Sequence, residues 1–459
     1  MDENGEVRNV TLDFCYIYGY DQIGGIAGIN SGVIYECKVS GIIKGDHNYV
    51  GGITGIYQGG YIEFCETAGE IGGARYVGGI AGQSSQFMYT CKNTAEVSAT
   101  VELAGGIAGQ ILTGGQINNC KNFGSVSAPR YAGGLAGHVS EYGFVVQSFN
   151  EGDIDSSEYY VGGIVGINEG VIKESYNDGF ISGSYVVGGI AGINHDLIID
   201  SYNLGEVYSS ADYAGGIAGQ CEGTSRIEYC YNEGKIKSTG LMTGGIASLQ
   251  SGNGSILYSY NSGVIEGISV GGILYKNSGL IENCYNIGTI ASDEAGGLVL
   301  LNLGNIRYCY VGCEVNALSG AAVALNNGGT IFSIYYNDEL FAFDPIAFGG
   351  GTAVDIYGKS TAEMQASAFV DILNLDEDIY MSDRLSLNNG FPVFRKFYEL
   401  KADEPYAVDS EIWDGSVDIS WYNGIDTEFT LYTAEQLAGS AQLVNDGTDS
   451  FIGKTIKLD

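Results

Sequence analysis

The sequence predicts an all-β fold: a parallel β-helix (β-solenoid, right-handed) of about twelve coils with three short strands each, followed by a small α+β cap. Three observations predict it. A Gly-Gly pair returns every 24 to 29 residues, a small Cys/Ser slot returns in step with it, and an Asn follows that slot by two residues in most copies. Composition agrees, since 73 Gly with only 4 Pro and 16% charged residues in 459 fits a turn-rich β protein rather than a disordered or collagenous chain.

The Gly-Gly pairs start at Gly24, Gly51, Gly78, Gly105, Gly133, Gly162, Gly188, Gly215, Gly244, Gly271 and Gly296, with a degenerate twelfth at Gly320. Ile or Leu follows each of the eleven intact pairs, usually within GGIAG, and is expected to point into the core. The glycines would let neighbouring backbones approach closely and supply positive φ at corners. A period near 27 is too short for a propeller blade and lacks the 3.6-residue apolar spacing of a helical repeat. One coil of short parallel strands remains, with coils spaced about 4.8 Å apart, so that twelve make a rod roughly 55–60 Å long. The right-handed sense follows from the general handedness of parallel crossovers.

The small slot reads Cys15, Cys37, Cys65, Cys91, Cys120, Ser148, Ser175, Ser201, Cys230, Ser259, Cys284 and Cys309. Eight of the ten cysteines therefore belong to the repeat. They are expected to be free, buried thiols, because stacked parallel side chains meet the disulfide dihedral poorly. The Asn column (Asn93, Asn122, Asn150, Asn177, Asn203, Asn232, Asn261, Asn286) is expected at a corner, with its amides hydrogen-bonding along the stack.

Domain organisation reads as 1–330 solenoid, 331–405 cap with one helix, and 406–459 the start of a following module. All Cys lie at or before Cys313, whereas both Trp and three of four Pro lie beyond residue 330. Residues 331–459 also carry 23 acids against 7 bases. Ser360-Thr-Ala-Glu363 has capping-box form and opens a helix to about Leu373, and LSLNNGFPVF (385–394) reads as turn plus strand. A second helix start lies at Thr433-Ala-Glu-Gln436, and the final FIGKTIKLD reads as a strand cut short. A cap is needed because an open last coil would pair with other chains.

The net charge of −35 disfavours nucleic acid and anionic membrane surfaces as partners. No run of 18 apolar residues could span a bilayer, and the first ten residues do not read as a signal peptide, so the chain reads either as a cytosolic protein or as a segment of a longer one. His47, His138 and His195 are single and far apart, which excludes HExxH, and neither GxSxG nor a phosphate-binding GxxxxGK[ST] loop occurs. His138 and His195 fall near Gln83, Gln110 and Gln220 of the repeat and read as variable surface positions. Acids such as Glu36, Glu63, Glu174 and Glu282 recur just before the slot and read as a solvated face. No metal, cofactor or catalytic residue is expected.

The string GGIAGxNxG with its trailing YNxG resembles the GLUG-motif repeat of bacterial cell-surface proteins and of the stalks of immunoglobulin A-cleaving metallopeptidases. The resemblance covers roughly residues 15–330. Residues 360–394 look like the segment that closes such arrays, and 413–459 like one that opens the next. The resemblance implies an extracellular stalk or adhesive segment of a large multidomain surface protein from a Gram-positive bacterium, and it carries over no catalytic residue. Two other functions fit a β-helix: a carbohydrate-active enzyme with a lateral groove, or an accessory stalk of a metallopeptidase encoded elsewhere in the full protein.

One further column points to binding. The residue after the Cys/Ser slot is Phe149, Tyr176, Tyr202, Tyr231, Tyr260, Tyr285 and Tyr310 on seven consecutive coils, preceded by Tyr16, Lys38, Glu66, Lys92 and Lys121. Strand alternation turns it outward if the slot faces in. The expected result is an exposed aromatic strip about 30 Å long in the C-terminal half. It would serve either as a platform for a glycan or host surface protein, or as rings that stabilise one another.

Overall fold

A computed structural model describes residues 1–397 except 342, 375 and 376, together with 422, 428–431, 443 and 455–458. The expected solenoid is present, and its coils are cut finer than three strands. A mid-array coil contains Ala108–Ile111, Gln116–Asn118, Lys121–Asn122, Val126–Ala128 and Tyr131–Gly133, with bends between them. Each segment pairs in parallel with its copy one repeat on, as in Ala108↔Ala136, Asn122↔Asn150 and Gly133↔Gly162. The GGIAG segments stack as a sheet of thirteen strands from Ala27–Asn30 to Ile346–Phe348, and the remaining coil strands join in one continuous sheet.

Gly-Gly is required by crowding. A Cβ at Gly106 would overlap the Gly134 carbonyl and the Asn122 amide, so this side of the coil is closed to any other residue. The Ile or Leu that follows is fully buried from Ile53 to Leu298. A second inward column runs through Ile34, Ile62, Met88, Ile117, Val145 and Ile172. Together they form one narrow apolar core running from coil to coil.

The positive-φ corners are not supplied by the paired glycines. They fall on the residue just before the Cys/Ser slot, one per coil from Asn9 and Glu36 to Ser333 and Asp355, with φ between 49° and 57° and no glycine among them. The corner holds because its N–H stays in the ladder: Thr90 N–H donates to Asn118 O at 3.0 Å, and Asn119 N–H to Val146 O at 3.1 Å. The bend then turns the N–H of the slot residue toward a side chain of the next coil. Cys120 N–H donates to Ser148 Oγ (3.0 Å), Ser148 N–H to Ser175 Oγ (3.2 Å), and Cys91 N–H to Cys120 Sγ (3.4 Å). On the coils where this bond forms, the slot favours a small side chain that also accepts a hydrogen bond, which selects Ser and Cys over Ala.

Two assignments at the ends of the array change. Val10, not Cys15, fills the first slot, since Thr11 pairs with Lys38, and a bulge between Leu12 and Cys15 sets Cys15 opposite Gly41. Thr11 therefore replaces Tyr16 as the first member of the outward column. The twelfth pair is Ala321-Ala322, because Gly296 pairs with Ala321 and Ala295 with Gly320. The ladder also runs past residue 330: Thr330–Asn337 pairs in register with Thr352–Lys359. The motif residues are gone there, but Ile331 and Ile334 keep the inward pattern.

The Asn column is buried, and its amides hydrogen-bond along the stack as expected. All eight residues are fully buried and joined head to tail: each Nδ2 donates to Oδ1 of the next, at 2.7–2.9 Å from Asn93 to Asn286. The second amide hydrogen goes to a carbonyl two residues on, such as Gly179 O from Asn177. Thr67 Oγ1 donates into the head of the chain at Asn93, and Asn286 ends it on Cys313 Sγ and the Gly297 carbonyl. A second, broken column with Asn168, Asn194, Asn277, Asn302 and Asn327 uses the same linkage in the GGIAGxN segment. All ten cysteines are free, and nine of them are buried.

Past the last coil, Ser360 caps helix α1 (Thr361–Met364) with the expected box, closed reciprocally by Glu363, and helix α2 (Ser367–Leu373) follows after a break. Asp383 gathers the N–H groups of Leu387, Asn388 and Gly390, which fixes the LNNG turn. The chain divides into compact units Met1–Pro392 and Val393–Asp459. In the second unit Glu428–Leu431 pairs in parallel with Thr455–Leu458. The helix expected from Thr433 lies outside the described residues.

Candidate binding surface

The aromatic column forms in register, Phe149↔Tyr176↔Tyr202↔Tyr231↔Tyr260↔Tyr285↔Tyr310. Rings on neighbouring coils stack face to face, with centroids 4.6 to 5.0 Å apart and planes within 12°. The coil spacing dictates this: identical side chains repeated about every 4.8 Å fall at the thickness of a stacked ring pair.

The expected exposure of the C-terminal half does not hold. Phe149, Tyr176 and Tyr202 are half-buried, whereas Tyr231, Tyr260, Tyr285 and Tyr310 are 8, 6, 1 and 0% exposed. At Tyr310 the cover is identifiable. Phe369 of α2 and Tyr380 meet its ring, Asn388 Nδ2 donates to its hydroxyl at 3.0 Å, and that hydroxyl donates to the Pro392 carbonyl. Burial pushes the phenols of Tyr260, Tyr285 and Tyr310 well above their ordinary range. Alternation correctly turned the column away from the coil interior, but the segment after α1 folds back over its far end.

Stacking limits what the strip can do chemically. A sugar ring packs on an aromatic face, and here the faces are turned toward neighbouring rings, so the half-buried end offers ring edges and hydroxyls. At that end Phe149 meets the Lys121 ammonium 5.1 Å from its centroid and Phe123 edge-on.

The other candidates separate on inspection. His138 continues a surface chain of side chains: Gln83 donates to Gln110, Gln110 contacts His138 Nδ1, and His138 Nε2 lies 2.9 Å from Glu169. His195 is not in that column, because Ile193 occupies its register opposite Gln220. The recurring acids divide into two columns. Glu36 and Glu174 sit at the positive-φ corner, while Glu63 and Glu282 lie two residues before the slot. Among the described residues no three His, Cys, Asp or Glu side chains converge as a metal site, and no helix is long and apolar enough to cross a membrane.

Sequence reading missed the positive-φ column, since its residues share no chemistry, and it missed a pocket beside α2 for lack of any local motif. No family model matches the chain, and no curated protein is similar to it. Among solved structures it is similar to a protein from Bacteroides ovatus, provisionally assigned as an immunoglobulin A1 protease. The identity is 18% and the TM-score 0.37, over 65% of this chain and 86% of that one.

Proposed function

We propose that residues 1–359 form a rigid, non-catalytic stalk of a GLUG-type bacterial surface protein, carried outside the cell and presenting a lateral face to glycans or host surface proteins. The observation that carries this reading is continuity. Thirteen coils stack without a break, and a buried chain of eight side-chain amides ties eight consecutive coils to one another. Such a stack resists sliding and bending, because slippage by one residue would strand every amide in the core. At about 4.8 Å per coil it spans roughly 55–60 Å, a length suited to holding other domains away from a surface. The aromatic strip adds stiffness along one side, and at Phe149, Tyr176 and Tyr202 it presents ring edges for contact.

The test is small-angle X-ray scattering together with incubation on a polysaccharide panel. A rod-like profile with a constant cross-section, no product from any polysaccharide, and a melting temperature indifferent to a zinc chelator are expected. Turnover of a polysaccharide, or a large drop in melting temperature with chelator, would overturn the reading.

A further inference from the structure

Beside α2 the wall of the solenoid and the returning chain form an open-mouthed pocket of about 280 Å³. On the solenoid side its lining comes from three successive positive-φ corners, Asn283, Tyr308 and Ser333, with φ of 51°, 54° and 53°. Helix α2 and the residues after it close the other side with apolar side chains and Glu377. The volume is at the small end for a ligand pocket, enough for one ring rather than an extended chain.

The walls have a definite chemistry. Arg307 and Glu282, both in the lining, form a two-point pair, Nε to Oε1 at 2.9 Å and Nη2 to Oε2 at 3.0 Å. This holds a guanidinium and a carboxylate in one plane, with N–H donors and oxygen lone pairs left over. Glu377 is steadied by the Tyr258 hydroxyl, which donates to its Oε2 at 3.2 Å. Tyr308 differs from the strip rings: it meets the next aromatic, Phe332, edge to face at 85° rather than in a stack, and the Arg307 guanidinium lies over one of its faces, 5.9 Å from the centroid, so a ligand would pack on the other face. A pocket with an aromatic ring outside any stack, a fixed donor–acceptor pair, a second carboxylate and an apolar wall suits a ligand with C–H faces and vicinal hydroxyls. The Arg307 charge is already matched by Glu282, and Glu377 adds a negative charge, so an anionic ligand is disfavoured.

We propose that this pocket is a binding site for a single neutral pyranose unit of a glycan, with Tyr308 packing on the ring and the Arg307–Glu282 pair bonding a vicinal diol. The proposal deepens the adhesive part of the reading above and rests on it.

The test uses the full chain and saturation-transfer NMR with methyl glucoside, methyl galactoside, methyl mannoside and methyl N-acetylglucosaminide, and sialyllactose as the anionic control. Tyr308→Gly is the informative variant, because glycine suits a φ of 54° and the coil should keep or gain thermal stability. The expected result is saturation of at least one neutral pyranoside, a loss of at least tenfold in affinity in Tyr308→Gly at unchanged or raised melting temperature, and no loss in Tyr202→Ala. Arg307→Met should weaken binding comparably. Binding unchanged in Tyr308→Gly, preference for sialyllactose, or no signal from any neutral pyranoside would overturn the site. The stalk reading stands or falls separately, on the scattering profile. A glycan contact that survives in Tyr308→Gly but is lost in Tyr202→Ala would move adhesion to the strip.

Discussion

Replacing Asn177 by Ala tests whether the buried amide chain stabilises the stack. Asn177 is fully buried and makes three side-chain hydrogen bonds: Nδ2 to Asn203 Oδ1 and to Gly179 O, both at 2.9 Å, and Oδ1 from Asn150 Nδ2 at 2.7 Å. Alanine removes all of them and strands a donor on one neighbouring coil and an acceptor on the other. Each orphaned buried group costs about 1–3 kcal/mol, so two to three of them place the loss at about 2–9 kcal/mol. Urea unfolding followed by far-UV circular dichroism reads the total. Amide hydrogen exchange should localise it to the coils carrying Asn150, Asn177 and Asn203. A loss below about 1 kcal/mol, with exchange unchanged in those coils, would refute the claim that the chain is a net stabiliser.

Three other outcomes follow from the same geometry. Thr90 is β-branched at φ 51°, so Thr90→Gly should raise stability by about 1 kcal/mol, seen as a higher melting temperature; a decrease would contradict the strained corner. Ser175→Ala removes the acceptor for Ser148 N–H and should destabilise by about 1–3 kcal/mol, while Ser175→Cys should stay within about 1 kcal/mol; equal losses in denaturant titrations would mean that only size matters in the slot. Burial pushes the Cys221 and Cys313 thiols from 9.0 up to about 12. A raised folded-state value means this stability is fully present below pH 9 and is lost as pH rises toward 12. Denaturation midpoints should therefore fall over that interval, and fall less in a Cys221→Ala, Cys313→Ala double variant.

Residues that repeat with one identity were readable in the sequence. The eleven intact Gly-Gly pairs and the Ile or Leu after them had their positions assigned correctly, because crowding and apolar burial each admit few residue types. The positive-φ corner was invisible for the opposite reason: a backbone conformation held by ladder hydrogen bonds tolerates Glu36, Tyr229 and Ser333 alike. The amide ladder of the Asn column was readable from its recurrence, whereas its full burial was not, because it depends on every amide satisfying the next. Cys15 was misassigned because a bulge in the first coil puts a cysteine at a believable spacing. The aromatic column was legible in register, but its stacking geometry depends on coil spacing, and its cover on Phe369 and Tyr380, far along the chain.

The amide chain points one way, since every Asn donates to the coil that follows it in sequence. It is therefore an arrow drawn through the rod, with aligned dipoles and chemically unlike ends: Thr67 feeds the first oxygen, and a thiol sulfur and backbone carbonyls receive the last hydrogens. Any duplication or loss of one whole coil leaves each arrowhead facing a tail, whatever its length between 25 and 29 residues. A break within a coil does not. A gene for such a stack can thus lengthen or shorten by whole units without relearning how to fold, so its length is a quantity that recombination can adjust in steps of a few ångströms.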